Sequence, residues 1–304
     1  MNPPSPRVTV ILRCKNSESE IGVALSALFS QDFRDFELLV VDSGSTDRTL
    51  QIVARWPHRL IRIAPEDYVP GPVLNRACSE APGEILVFQN SDCAPLHPGV
   101  LGRLVAAFDD PAVMAAFCRQ VPRPEAWPWV RREYRLAFPE APAAPPWLPY
   151  SLPFAAMRRT AWEQQPFYQE AWGSEDTAWG CRARARGWVI RYLPDCPVMH
   201  SHNYTLRQLY GRRFIEGEAD AFILDQVPSP ARLALRAVAE TLRDWREDLR
   251  EGDLGDLVQA PVRRIVDAWA YGRGSRHGLR RRRQGDPDVR HGQRVVLLRH
   301  PSRR

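Results

Sequence analysis

The sequence predicts an α/β fold, a mostly parallel sheet with helices on both faces, followed by a helical and basic C-terminal extension. Three observations predict it. Short apolar, β-branched runs alternate with amphipathic segments through the first half of the chain, the signature of repeated β-α-β units. Acidic residues stand where several of those runs end. Beyond residue 227 the pattern becomes helical and then rich in arginine. The expected units are a domain over 1–227, carrying a Pro- and Trp-rich insertion at 122–153, and an extension over 228–304. With 304 residues, 44% of them hydrophobic and 26% charged, the chain has material for a sizeable core.

The run Val8-Thr9-Val10-Ile11-Leu12 reads as a buried parallel strand. Ser17, with Glu20 three residues on, reads as a capping box ahead of a helix whose inner face is Ile21, Leu25, Leu28 and Phe29. A second strand over 36–41 ends at Asp42, a helix spans about 47–55, and a short strand spans about 60–63. A helix over 72–81 leads to a strand over 85–88, which runs into Gln89-Asn90-Ser91-Asp92. A helix over 100–108 and a strand over 113–117 complete this half. The insertion holds Trp127, Trp129 and Trp147, which suits an ordered aromatic segment better than a flexible linker. Strands over 154–157 and 189–193 flank a helix over 174–186. After 227, Leu233, Ala237, Leu242 and Trp245 mark an amphipathic helical stretch.

Charge is uneven. Residues 271–304 hold eleven arginines against Asp286 and Asp288, a surplus of +9; the whole chain carries +6, so residues 1–270 carry −3. Such a segment suits phosphates of an anionic lipid surface; nucleic acid is not expected as a partner, because the body is net acidic. Six cysteines at 14, 78, 93, 118, 181 and 196 show no CxxC spacing and sit mostly in apolar runs, as reduced buried thiols do. No run of 18 apolar residues occurs, and residues 1–7 lack an apolar leader core. These features lead us to expect a cytoplasmic protein with peripheral contact at the inner face of the membrane.

In an open α/β sheet, ligands bind beyond the carboxyl ends of the strands. Asp42 and Asp92 occupy such ends, Glu175 and Asp176 fall in the first turn of a helix, and His200-Ser201-His202 follows a late strand. Each has a plain structural reading: Asp42 and Asp47 as caps, Glu175 and Asp176 as partners of a helix dipole, His200 as a core imidazole. Their order along one chain is more specific.

That order resembles the family 2 glycosyltransferases with the GT-A fold. The likeness runs over roughly 8–222, through Phe36-Glu37-Leu38-Leu39-Val40-Val41-Asp42-Ser43-Gly44-Ser45-Thr46-Asp47, the segment from Gly83 through Asn90-Ser91-Asp92, and Ser174-Glu175-Asp176 with Arg182. The segment from Cys118 to Pro124 and His200-Ser201-His202-Asn203-Tyr204-Thr205-Leu206-Arg207 resemble bacterial rhamnosyltransferases of surface-polysaccharide assembly. The resemblance implies an inverting, metal-dependent transfer of a hexose or deoxyhexose, rhamnose among them, from a UDP- or dTDP-type nucleotide sugar to a glycan or lipid-linked acceptor. It implies a divalent cation, Mn²⁺ or Mg²⁺, held by Asp92 and His200, with His202 as a substitute or supporting group; Asn90 stands where the family has another carboxylate. It also implies that Asp42, with the backbone of Leu12 and Arg13, receives the nucleoside, that Asn75 and Arg76 lie near the diphosphate, and that Asp176 is the base with Glu175 orienting the acceptor. A helix N-terminus is expected to hold the Asp176 pKa down. Two other readings stay open: an inactive nucleotide-sugar binder, given Asn90 and a displaced arginine, and a nucleotidyltransferase. Neither a phosphate loop nor a GxGxxG follows Leu12.

Overall fold

A computed structural model describes residues 7–252, 254–286 and 288–289. In chain order the first half holds β1 (Val8–Cys14), α1 (Ile21–Phe29), β2 (Phe36–Asp42), α2 (Thr49–Val53), β3 (Arg59–Arg62), α3 (Pro70–Glu80), β4 (Ile85–Asn90), the two-residue β5 (Ala94–Pro95), α4 (Val100–Ala106) and β6 (Val113–Val121). The second half holds α5 (Pro128–Ala137), β7 (Phe154–Arg158), α6 (Arg159–Gln164), α7 (Glu175–Ala185), β8 (Val189–Met199), α8 (Leu206–Leu224), α9 (Pro230–Glu251) and α10 (Asp256–Gln284).

One eight-stranded sheet runs β3-β2-β1-β4-β7-β6-β8-β5. β1, β2, β3 and β4 are parallel, as are β6 and β8, while β7 is antiparallel to both neighbours. Side chains alternate across each strand, so β1 sends Val8, Val10 and Leu12 into one core beside α1 and α4 and Ile11 into the other beside α3 and α7. β4 divides likewise, Val87 on one face and Leu86 and Phe88 on the other. Both faces are apolar because both are covered. All six cysteines are unpaired, and five are buried.

Some local readings differ in detail. No capping box forms at Ser17: its carbonyl accepts the N–H groups of Glu20 and Ile21 at 3.0 and 2.9 Å, and its hydroxyl turns to Ser91 Oγ at 2.8 Å. The long-range partner outcompetes the local cap. A capping box does form between Thr205 and Gln208, opening α8. β6 and β8 extend well past their expected ends because they pair with each other along most of their length.

The arginine-rich segment does not begin as a tail. Arg280 to Arg283 belong to α10, and Arg281 is buried against Glu218 of α8 at 2.7 Å. Arg290 and the arginines beyond it lie outside the described residues. α8 and α10 approach so closely that only glycine fits: a Cβ on Gly274 would stand 1.9 Å from the Phe214 carbonyl oxygen, and one on Gly278 2.2 Å from that of Glu218. The helix on the near side of residue 227 thus shares its packing with one on the far side. Alanine at 274 would gain about 1 kcal/mol of helix propensity, but the clash is with backbone and cannot be relieved by a rotamer. We expect Gly274→Ala to lower stability by about 1–3 kcal/mol, read as a shifted denaturation midpoint; an unchanged midpoint would refute the close approach.

The inserted helix α5 is held by charge. Arg132, buried, bridges Asp248 of α9 at 2.5 Å and Asp256 of α10 at 3.1 Å, and Glu133 meets Arg264 at 2.9 Å. Arg263 and Arg264 share Asp244, and the Arg263 guanidinium lies over the Trp129 ring, 4.7 Å from its centroid. Buried charges persist only when paired in this way.

Candidate active site

The parallel register sets the floor of the site. Cys14 at the end of β1 stands beside Asp42 at the end of β2, and Arg13 beside Asn90 at the end of β4, so Arg13, Asp42 and Asn90 of the expected site share the carboxyl end of the sheet. Leu12 is fully buried one residue back. Asp42 is buried as well, and its carboxylate accepts the N–H groups of Gly44 and Ser45 and the Ser45 hydroxyl at 3.1, 3.1 and 2.5 Å. It organises the loop over residues 43–46, with Gly44 at φ 84° supplying the left-handed turn.

Three donors meet at the end of β4. Asp92 Oδ2 lies 3.1 Å from His202 Nε2, and Asp92 Oδ1 lies 3.7 Å from His200 Nε2. One ligand atom from each of the three falls within 4.8 Å of the others. His200 follows β8, where its N–H extends the β6–β8 ladder to the Val121 carbonyl. Its Nδ1–H donates to Gln120 Oε1 at 2.8 Å, and Gln120 in turn donates to Ser151 Oγ at 2.9 Å. That pairing fixes the tautomer and turns the Nε2 lone pair toward Asp92. His200 Nε2 is buried and has no hydrogen-bond partner among the described residues. Burial pushes the His200 pKa down, which keeps the imidazole neutral. A carboxylate and two imidazoles, one oriented from behind, fit a divalent cation.

The second group lies at the start of α7. Gly173 and Ser174 both take positive φ, 92° and 54°, as the chain enters the helix, a conformation that costs a non-glycine residue energy. Glu175 is salt-bridged to Arg13 at 3.1 Å, tying α7 to the end of β1. Asp176 accepts the Leu152 and Thr177 N–H groups at 3.3 and 2.8 Å. Its pKa is not held down. Burial, and then the neighbouring Glu175 carboxylate, push it up to about 6 despite those hydrogen bonds. The helix end is outweighed by desolvation.

Arg76 and Asn75 are not brought to this group. Asn75 spends its amide on the loop after α6, donating to the Phe167 carbonyl and accepting from Phe167 N–H and Trp162 Nε1–H. Arg76 turns along its helix to Glu80 at 3.0 Å and is half exposed. One position on a helix rotates a side chain by about 100°, which is what separates the two. Residues unforeseen in the sequence take part instead. Arg123 donates to the Asp92 carbonyl at 2.6 Å and Tyr134 of α5 lies 3.4 Å from His200 Nδ1. Gln120, Ser151 and Leu152 link the histidine to Asp176 through one short stretch of chain. Gln120 and Arg123 sit within the Cys118–Pro124 segment quoted above, so a signal was present without a role attached.

A family model, Glycosyl transferase family 2, matches residues 9–167, half of the chain. The chain belongs to that family. Among curated relatives in the family, the O-antigen chain rhamnosyltransferase WbaN of Salmonella anatum is 28% identical over 193 residues, covering 60% of this chain and 61% of that protein. The match thus spans about three fifths of the WbaN length. The O-antigen chain rhamnosyltransferase RfbN of Salmonella typhimurium is 25% identical over 224 residues, 69% of this chain and 71% of that one. The structure of the mannosyltransferase PcManGT from Pyrobaculum calidifontis, in complex with GDP-Man and Mn²⁺, aligns with TM-score 0.63 and 21% identity over 90% of this chain and 87% of that one. At that identity the likeness speaks to the fold, which is the GT-A α/β fold.

Proposed function

We propose that the protein is an inverting, metal-dependent glycosyltransferase that moves a hexose or deoxyhexose, rhamnose in the first instance, from a UDP- or dTDP-type donor to a glycan or lipid-linked acceptor at the inner face of the membrane. The observation that carries the reading is the convergence of Asp92, His200 and His202 on one point, with His200 Nε2 buried and unpartnered. Asp92, His200 and His202 would hold Mn²⁺, favoured over Mg²⁺ by the two imidazoles, and the chemistry supplied there would be neutralisation of charge growing on the diphosphate leaving group. The second histidine supplies a donor in a site where Asn90 offers no carboxylate, which supports an active enzyme over a binder that has lost turnover.

The chain's own residues do the rest. The backbone of Leu12 and Arg13 and the loop organised by Asp42 receive the nucleoside. Asp176 takes the proton of the acceptor hydroxyl as that oxygen displaces the diphosphate in one step, which inverts the anomeric carbon. A carboxylate with its pKa near 6 is ionised at neutral pH yet a better base than an ordinary one. Glu175, neutralised by Arg13, is suited to orienting the acceptor.

Thermal unfolding with a panel of nucleotide sugars, with and without Mn²⁺, tests the reading. A true donor at about 100 times its Kd should stabilise the protein by about 2.7 kcal/mol, and only with the cation present. A panel with no shift for any nucleotide sugar would remove the proposal.

A further inference from the structure

α9 and α10 are built inside out. In an ordinary surface helix the apolar stripe faces the core. The inward seam of α9 instead carries Thr241, Asp244 and Asp248, and that of α10 Asp256, Arg263 and Arg264, all buried. Apart from Leu233 in its first turn, which is buried, the leucines of α9 point the other way. Leu235, Val238, Leu242, Trp245 and Leu249 are exposed, Leu235 at 71% and Leu249 at 64%. At 100° per residue these five fall within an arc of about 80°. On α10, Val258, Val262, Ile265 and Trp269 form a matching exposed row, Val258 at 76%. Trp245 joins the two rows by donating its indole N–H to the Leu257 carbonyl at 2.7 Å.

We infer that this apolar outer face of the α9–α10 pair is a docking surface for an anionic lipid bilayer. Arginine decides the occupant. Arg243, Arg246 and Arg250 line one flank of the α9 row, all exposed. The α10 row continues along the same helix face as Arg273, Arg276, Arg280 and Arg283, also exposed, with the Arg273 guanidinium 5.5 Å from the Trp269 ring centroid. By the same helical period no acidic side chain falls within either row. A leucine stripe bordered by arginines is the pattern of a helix lying in the headgroup region, apolar side down. A second copy of the chain would cover the leucines but set like charges against each other. Nucleic acid would satisfy the arginines and leave the leucines in water. No described helix is long and apolar enough to cross a membrane, so the contact is one of lying on the surface.

The inference deepens the proposal of a lipid-linked acceptor, and its test uses no donor, so either can fail alone. Full-length protein is floated with vesicles of phosphatidylcholine alone and with about one third phosphatidylglycerol. We expect flotation with the anionic vesicles only, weakened by salt. Leu242→Glu with Ile265→Glu, and separately Arg276→Glu with Arg280→Glu, should each lower vesicle partition by more than about tenfold, with the thermal midpoint unchanged because all four side chains are exposed. Leu242→Gln with Val258→Gln serves as a milder apolar pair should the glutamates disturb folding. Wild type that stays unbound, or apolar variants that float like wild type, would overturn the inference. So would light scattering showing a dimer that Leu242→Glu splits, since the face would then belong to a second copy.

Discussion

Asp176→Asn is expected to lower turnover by about 10²–10⁴-fold while leaving donor affinity nearly unchanged, because the lost proton acceptor acts on the acceptor sugar. Initial rates over acceptor concentration, alongside donor titration by calorimetry, read both quantities. Wild-type activity should fall as pH drops through about 6, where Asp176 takes up its proton, and the asparagine variant should lose that limb of the profile. Stability moves the opposite way. A carboxyl whose pKa rises from 3.8 to about 6 on folding binds its proton more tightly in the folded chain. Its favourable contribution is therefore present below pH about 3.8 and is lost as pH rises through 6. Asp176→Asn should thus be at least as stable as wild type at pH 8, a mark of a group kept for chemistry rather than for folding. A brisk Asp176→Asn beside a dead Glu175→Gln would show that the roles of the two carboxylates are reversed.

Asp92→Asn is expected to reduce transfer by about 10³-fold or more, since a bound cation contributes several kcal/mol to a transition state with a developing diphosphate charge. The amide can still meet His202, so the fold should hold, and circular dichroism checks that. Mn²⁺ binding, followed directly on the protein without donor, should weaken in parallel. Wild-type rates for Asp92→Asn in chelator-treated buffer would remove the metal from the mechanism.

Much of the fold was legible because its signals are local. Val8 to Leu12, apolar but for Thr9, and Ile85 to Phe88 are short buried runs, and a run buried on both faces needs no partner to be recognised. Asp92, His200 and His202 were legible as residue types, and the pairing of β5 with the end of β8, Ala94 beside Met199, is what brings the last two to the first. The failures share one cause, competition from distant partners. Ser17 looked like a cap until Ser91 was opposite it. Asn75 looked like a ligand until residue 167 came within reach. The Asp176 pKa was misjudged because a helix end is visible in sequence and desolvation is not. The arginine run from 280 read wholly as a surface for phosphates because nothing local announces that Glu218, sixty-three positions earlier, waits for Arg281.

The ionic clasp on α5 has a consequence for the order in which the molecule is made. Arg132 finds its partners on Glu251 and Asp256, 119 and 124 positions later, and Glu133 finds Arg264 131 positions later. At about 5–20 residues per second of synthesis, the inserted helix and its tryptophans spend on the order of 5–25 s without the segment that covers them. Tyr134, which reaches His200 from that helix, has its packing on the sheet core in that interval but not the clasp behind it. The nascent sheet can close early, but the α5 wall beside His200 is finished only after α9 and α10 have left the ribosome. The clasp that fixes the α5 wall beside His200 is therefore among the last parts of the fold to be completed.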